Sequence, residues 1–525
     1  MKHLSVSKQH SSVIGGALYL TVAAVFVKVL GLIYKIPLSH MLGDEGMGYF
    51  NAAYTVYGAL YLLCTAGVPK AISILTTECD VREARHDKEK IFRVCLWSFG
   101  SLGAVLTAFF ILCSAPLSRL IGSEPSAFCM IAIAPSLLFV SLGGVVRGYL
   151  NGHARMWPIA VSQVLEGVCK LILGLIFAAY ALKSGFSLPL TAAFTILGIT
   201  VGSFVSFLYL SVHVHRLRRE APAREGRAQT SGKDILYRVL KVAAPVTFSA
   251  AIMSMTNMMD LTLIMKRLTE TGLSEQEATA LYGNYTTLAV PMFNLAASLV
   301  ASVMTAVLPH LTRLYVRGDT SGFRSLFQRT AQSCTVFILP FSFSLVLFGK
   351  EILSLLFREE SAVLATPMLA VLSPAMIFMG LLTVVNTALE AAGHARAPLY
   401  AMAIGCAVKL PVSYLLLGSE SYGILGAPIG TVISYAVSLA VSLIILHRAK
   451  DIRMSVTACL WKPLINTLAS LSVVYLLYRV IEVRTDALPA LWICALIGLP
   501  LYTILSLCTG VLTIPSKKKM VIFDK

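Results

Sequence analysis

Apolar residues follow one another along this chain in runs of about 20, the length a helix needs to cross a hydrocarbon core. Fourteen such runs are predicted, at 13–36, 48–75, 91–114, 125–148, 157–182, 190–213, 236–265, 281–309, 326–349, 363–391, 398–417, 423–447, 461–481 and 488–513. The longest polar break, about 213–234, is too short to bury a core of its own. The first run follows a short lysine-bearing start and contains Lys28, but at some 24 residues it is too long for a signal peptide. It is predicted to be a retained spanning helix.

The pattern repeats. The tetrapeptide GHAR occurs at 152–155 and again at 393–396, each time followed by a proline, Pro158 or Pro398, and an apolar helix carrying a lysine, Lys170 or Lys409. The offset is 241 residues, and a separate match, AGVPKAISIL around Pro69 with TAVLPHLTRL around Pro309, gives 240. Two matches at nearly one offset argue for duplication of a six-helix unit. Six is even, so both copies start on the same side of the membrane, as parallel repeats do. The fold class expected is therefore all-α integral membrane, with two six-helix parallel repeats and two extra C-terminal helices. The domains expected are an N-lobe at 1–213, a basic cytoplasmic linker at 214–235, a C-lobe at 236–447, and spans thirteen and fourteen with a cytoplasmic tail at 448–525.

Composition agrees: of 525 residues, 57% are hydrophobic and 13% charged, which excludes a soluble protein of this size. The net charge of +17 sits in short clusters between apolar runs, so it speaks for membrane topology and against nucleic acid. With a cytoplasmic N-terminus, 30 of the 43 basic residues fall in inside segments, nine outside and four within spans. The positive-inside rule then puts both termini in the cytoplasm. The 11 cysteines show no CxxC pair or metal spacing and are expected to be small buried hydrophobes.

Ionisable residues inside spans are costly unless they face a cavity or a partner, so they mark candidate chemistry. Lys28 and Lys35 lie two helical turns apart on one face of the first span, with Gly31 between them. Glu166 and Lys170 have the i, i+4 spacing of an internal ion pair, with cavity lining as the other reading; Lys409 holds the second copy's place. Asn257 shares a face with Asp260, and Asn386 with Glu390; Asp260, Glu166 and Glu390 are candidates for coupling or charge pairing. Arg147, near the cytoplasmic end of the fourth span, is expected to be an ordinary topology-setting arginine. Lysines outnumber acids among these candidates, so the expected cargo is anionic, such as a diphosphate head. No HExxH, GxSxG or P-loop is present, and neither enzyme activity, a metal nor a cofactor is expected. Energy would come from the membrane potential or a Na+/H+ gradient.

The stretch VKVLGLIYKIPLSHMLGDEGMGYF that opens residues 27–75, together with 281–315 and both GHAR turns, resembles the stage V sporulation protein B and YtgP branch of polysaccharide-export proteins. These are relatives of the MurJ lipid II flippases in the multidrug/oligosaccharidyl-lipid/polysaccharide (MOP) superfamily. The resemblance implies a bacterial cytoplasmic-membrane protein with two lobes around a central cavity and a groove for a polyprenyl tail at spans thirteen and fourteen. It implies alternating access that moves a polyprenyl-diphosphate-linked cell-wall precursor to the outer leaflet. It places Lys28 among the first-helix basic residues that bind the diphosphate, with Lys35 near another. The chain departs from MurJ-type proteins at 52–63, which holds no basic residue, and at 282–287, which reads YGNYTT. The partners expected are the saccharide lipid, membrane lipids and the cell-wall synthesis machinery. The competing readings are export of another lipid-linked oligosaccharide, a cation-coupled multidrug extruder, and a membrane glycosyltransferase or scaffold.

Overall fold

A bilayer leaves no water for unpaired backbone groups, so apolar runs of this length must satisfy their amides within themselves, and helices do so. The computed structural model describes residues 2–81, 85–220, 231–394, 396–450, 455, 457–482 and 487–511, and every regular element among them is helical. The middle of the predicted linker, 221–230, and the tail from 512 lie outside the described residues. The chain divides into two compact units, Met1–Thr287 and Leu288–Lys525.

The first unit holds α1 (Lys2–Thr65), α2 (Val68–Val81), α3 (Arg85–Leu112), α4 (Ser114–Ile121), α5 (Ala127–Ile133), α6 (Ser136–Gly152), α7 (Met156–Lys183), α8 (Leu188–Glu220), α9 (Gly232–Glu270) and α10 (Glu275–Asn284). The two apolar runs within α1 are joined at Gly43, whose φ of 66° is a left-handed conformation that costs a residue without Cβ little. Helix α9 belongs to this unit through packing. Its Ile235, Val239 and Ala243 join a buried cluster with Val68 and Ile72 of α2 and Phe92 of α3. Gly67 lets its chain approach the Ala243 carbonyl, and Arg238 pairs with Glu78. Helices α7 and α8 close on small residues: a Cβ on Gly198 would stand 2.6 Å from the Gly174 amide nitrogen, closer than real side chains come.

The second unit holds α11 (Val290–Val316), α12 (Thr320–Leu356), α13 (Glu359–Ala391), α14 (Ala397–Leu417), α15 (Gly426–Lys450), α16 (Lys462–Glu482) and α17 (Ala487–Cys508). Its α14 and α15 also meet at small residues, Gly405 against Ser434 and Ser438, and Gly430 against Ser413. Among the described residues, 12 helices are long and apolar enough to cross a membrane. One of them, Val25–Cys79, carries the first two predicted spans; the predicted seventh span forms α9 but is not among the 12. The repeated motifs are not identical in detail. Ala154 takes the positive φ (55°) in the first GHAR turn, whereas Gly393 takes it (82°) in the second. At Pro69 the helix has just restarted, whereas Pro309 lies within α11.

Candidate functional site

Four aromatic residues of the second half of α1 stand at 50, 54, 57 and 61, a row on one helical face. Ring centroids are 6.2 Å apart for Phe50 and Tyr54, 5.9 Å for Tyr54 and Tyr57, and 5.7 Å for Tyr57 and Tyr61. Tyr34, on the first half of α1, packs against Phe50 at 6.2 Å. The Lys170 ammonium, reaching from α7, lies 4.8 Å from the Tyr54 centroid and 5.4 Å from that of Tyr34, within the range of cation–π attraction.

Glu166, one turn before Lys170, does not pair with it. Its carboxylate accepts from Arg147 of α6 at 2.8 Å and from the Ser203 hydroxyl of α8 at 3.1 Å. Arg147 also donates to Ser206 at 3.0 Å, and Ser206 donates on to the Ser162 carbonyl at 3.1 Å. The expectation of an ordinary topology-setting Arg147 is thus corrected: with its side chain only 15% exposed, it neutralises Glu166 within the bundle. The consequence falls on Lys170, which among the described residues is left with aromatic faces and no carboxylate.

Lys35, seven residues from Lys28 on α1, points its ammonium at the Thr286 carbonyl, 2.9 Å away. Around it α1 and the α10 segment are joined by neutral or singly charged bonds. The Asn51 amide donates to the Thr287 hydroxyl at 2.8 Å, the Thr55 and Tyr282 hydroxyls lie 3.0 Å apart, and the Asn284 amide donates to Asp44 at 3.2 Å. Lys28 is exposed; on α9, Asn257 is exposed and Asp260 half-buried. The first unit therefore gathers Lys35, Lys170, Glu166 and Arg147 with the tyrosine row. In the second unit Lys409 is half-buried on α14, and Glu390 is exposed at the end of α13. Asn386, one turn before Glu390, accepts from the Ser442 hydroxyl at 2.9 Å. Arg147 and the tyrosines were not among the residues expected from sequence, although the helical spacing of the row was there to be read.

The second unit holds an apolar groove of about 320 Å³ between α12, α16 and α17, lined by Pro340, Phe348, Val474, Trp492, Ala495 and Tyr502 among others. The Tyr502 hydroxyl is satisfied by the Val336 carbonyl at 2.9 Å, so its ring can face an apolar guest without stranding a polar atom.

Comparison with known proteins agrees with this frame. The family described as lipid II flippase MurJ matches residues 38–495. Stage V sporulation protein B of Bacillus subtilis (strain 168) is 25% identical over 423 residues, 79% of this chain and 80% of that one. The lipid II flippase MurJ of the same organism is 24% identical over 459 residues, 83% of each. A solved structure of lipid II flippase MurJ in an inward closed conformation superposes with a TM-score of 0.73 at 17% identity, over 93% of this chain and 98% of that one. An inward-facing multidrug resistance MATE family transporter of the MOP superfamily gives 0.66 at 16%, over 83% and 98%. At such identities the structural likeness speaks for the fold alone.

Proposed function

The chain belongs to the lipid II flippase MurJ family, a multi-pass membrane transporter of lipid-linked precursors rather than an enzyme, and from that premise we propose that it carries a polyprenyl-diphosphate-linked saccharide of lipid II type. In this reading the lobes alternate access between leaflets, moving the head group from the inner to the outer one. Lys170 and Lys35 bind the diphosphate, with Lys28 near the same path, and the groove of α12, α16 and α17 takes the polyprenyl tail.

The observation that carries the reading is the pairing of Glu166 with Arg147. An i, i+4 carboxylate would have cancelled the Lys170 charge; with Glu166 engaged elsewhere, Lys170 keeps a net positive charge over Tyr34 and Tyr54. A cation at bilayer depth is retained against its cost when it has an anion to meet. A diphosphate supplies that anion with charge-assisted hydrogen bonds, stronger than those between neutral groups. A multidrug extruder of cationic compounds would need the opposite sign here. Energy comes, on this reading, from the membrane potential or an ion gradient.

The test is to deplete the resident flippase of a bacterium, express this protein, and measure lipid II accessible to an outer-leaflet probe. Lys170→Glu is expected to lower accessibility at least about tenfold, since reversing the charge removes an ionic contact worth more than 1.4 kcal/mol; Lys28→Glu is measured alongside. Undiminished flipping by Lys170→Glu at equal membrane expression would sink the clamp. A second reading, another saccharide on the same lipid diphosphate, is favoured by the near-equal identity to Stage V sporulation protein B and to the flippase. Good expression with no lipid II exposed would decide for it.

A further inference from the structure

Between α10 and α11 the chain does not run as a regular α-helix. Tyr285–Ala289 forms a π-helical turn, in which the amide of residue i+5 serves the carbonyl of residue i. In that pattern the residue 290 amide serves Tyr285, and the carbonyl of Thr286 waits for the amide of residue 291. Residue 291 is Pro291, which has no N–H. The π turn and Pro291 together therefore leave the Thr286 carbonyl without that donor, at a depth where an unsatisfied carbonyl is costly. Lys35 fills the gap: its ammonium donates to that carbonyl at 2.9 Å across 251 residues of chain. The next residue, Thr287, is held to Asn51 of the same helix at 2.8 Å. The boundary between the two compact units falls at Thr287 and Leu288, inside this turn.

We propose that Lys35 is a coupling residue: its ammonium clamps the π-helical turn through the Thr286 carbonyl, and the diphosphate of the cargo draws it away and releases the turn. The release step rests on the function proposed above; the clamp does not. An ammonium has three donors but a single charge to spend, and a phosphoryl oxygen is a stronger acceptor than a neutral carbonyl. Once Lys35 turns to the anion, the Thr286 carbonyl is orphaned again. The turn is then free to shift register towards the α pattern, in which the Val290 amide serves Thr286 and the carbonyl that faces Pro291 becomes that of Thr287. Such a shift moves the following helix by one residue, about 1.5 Å along and 100° around its axis. Cargo binding is thereby tied to the segment where one unit passes into the next. Lys35 in this scheme exchanges the turn for the cargo, whereas Lys170 stays with the cargo site throughout.

The test is amide hydrogen exchange across 284–292 in the full-length protein reconstituted in liposomes, with inorganic pyrophosphate as the probe and chloride of equal ionic strength as control. Without any anion, Lys35→Met is expected to speed exchange in this segment about tenfold, the loss of one charge-assisted hydrogen bond, with 190–200 of α8 unchanged and Lys35→Arg close to the native rate. In the native protein pyrophosphate, but not chloride, speeds the same amides; in Lys35→Met it adds nothing. Native exchange in anion-free Lys35→Met overturns the clamp. Pyrophosphate that binds the native protein yet leaves the segment unmoved overturns the release. Pyrophosphate that fails to bind overturns the cargo reading and the release with it, while the anion-free comparison alone decides the clamp.

Discussion

At the residue scale the site turns on who neutralises whom. Arg147 and Glu166 are 15% and 24% exposed, shielded enough that each depends on the other. Removing one partner of such a pair costs about 3 kcal/mol, whereas replacing both by apolar residues of similar volume is nearly neutral. Glu166→Gln is therefore expected to lower the apparent melting midpoint in detergent by several degrees, and Arg147→Met with Glu166→Leu to recover most of it. A double variant as unstable as the single one would refute the pairing argument. A titrating residue lies outside the membrane. Asp319 caps α12, its carboxylate accepting from the Gly322 amide at 2.8 Å and from the Ser321 hydroxyl at 2.8 Å. These bonds, the Gly322 amide first, hold its carboxyl below the usual aspartate value. The sign follows: a carboxylate lowered on folding stabilises above its unfolded value, about 3.9, and that stabilisation is lost as pH falls below it through the folded value. Thermal midpoints between pH 6 and 3 should drop less in Asp319→Asn than in the native protein, by a small margin because the group is exposed. Identical acid limbs would show that the cap does not titrate.

At the element scale, hydropathy located most of the helices, α9 being the one predicted span not among the 12 membrane-crossing helices of the described residues, because a span reports its length and apolarity within one stretch of sequence. Both GHAR turns and the break between the first two spans were legible in the same way. What was not legible involves partners remote in sequence. Spacing offered Lys170 as the partner of Glu166, yet Arg147, 19 residues away on another helix, took that place because helix packing, not periodicity, sets such contacts. The Lys35 contact with Thr286 was hidden for the same reason: Pro291 in an ordinary helix removes the donor to Thr287, and only the π turn moves the gap to Thr286. The groove between α12, α16 and α17 gives this scale its prediction. Ala495 is exposed on the groove wall, so Ala495→Trp fills the space without displacing a buried neighbour. Flipping of the long-chain lipid should fall several-fold while pyrophosphate binding stays native, because pyrophosphate has no tail for the proposed groove to hold. Loss of both, or of neither, would contradict a tail-binding groove.

At the scale of the whole molecule the question is which way the chain faces. Orientation is decided during insertion by the basic residues of short loops, not by contacts in the finished fold, and it is therefore argued from the loops. The α7–α8 loop carries Lys183 alone, whereas the segment from 310 to 329 that leads into α12 carries Arg313, Arg317, Arg324 and Arg329. Alternation along the chain puts the first of these outside the cell if the N-terminus is inside, and the second in the cytoplasm. Both loops offer a neutral place for a tag: Gly185 and Gly318 have left-handed φ values of 70° and 72°, and space that nothing else occupies. An epitope inserted after Gly185 is expected to bind antibody on spheroplasts with an intact membrane, and one after Gly318 only once the membrane is opened. The reverse pattern would invert the direction of transport argued above, since the basic α12 entry would then face the outer leaflet. Labelling of both sites in intact spheroplasts would mean that an odd number of crossings separates Gly185 from Gly318 in neither orientation, and would break the span order from α8 to α11 on which the parallel repeat depends.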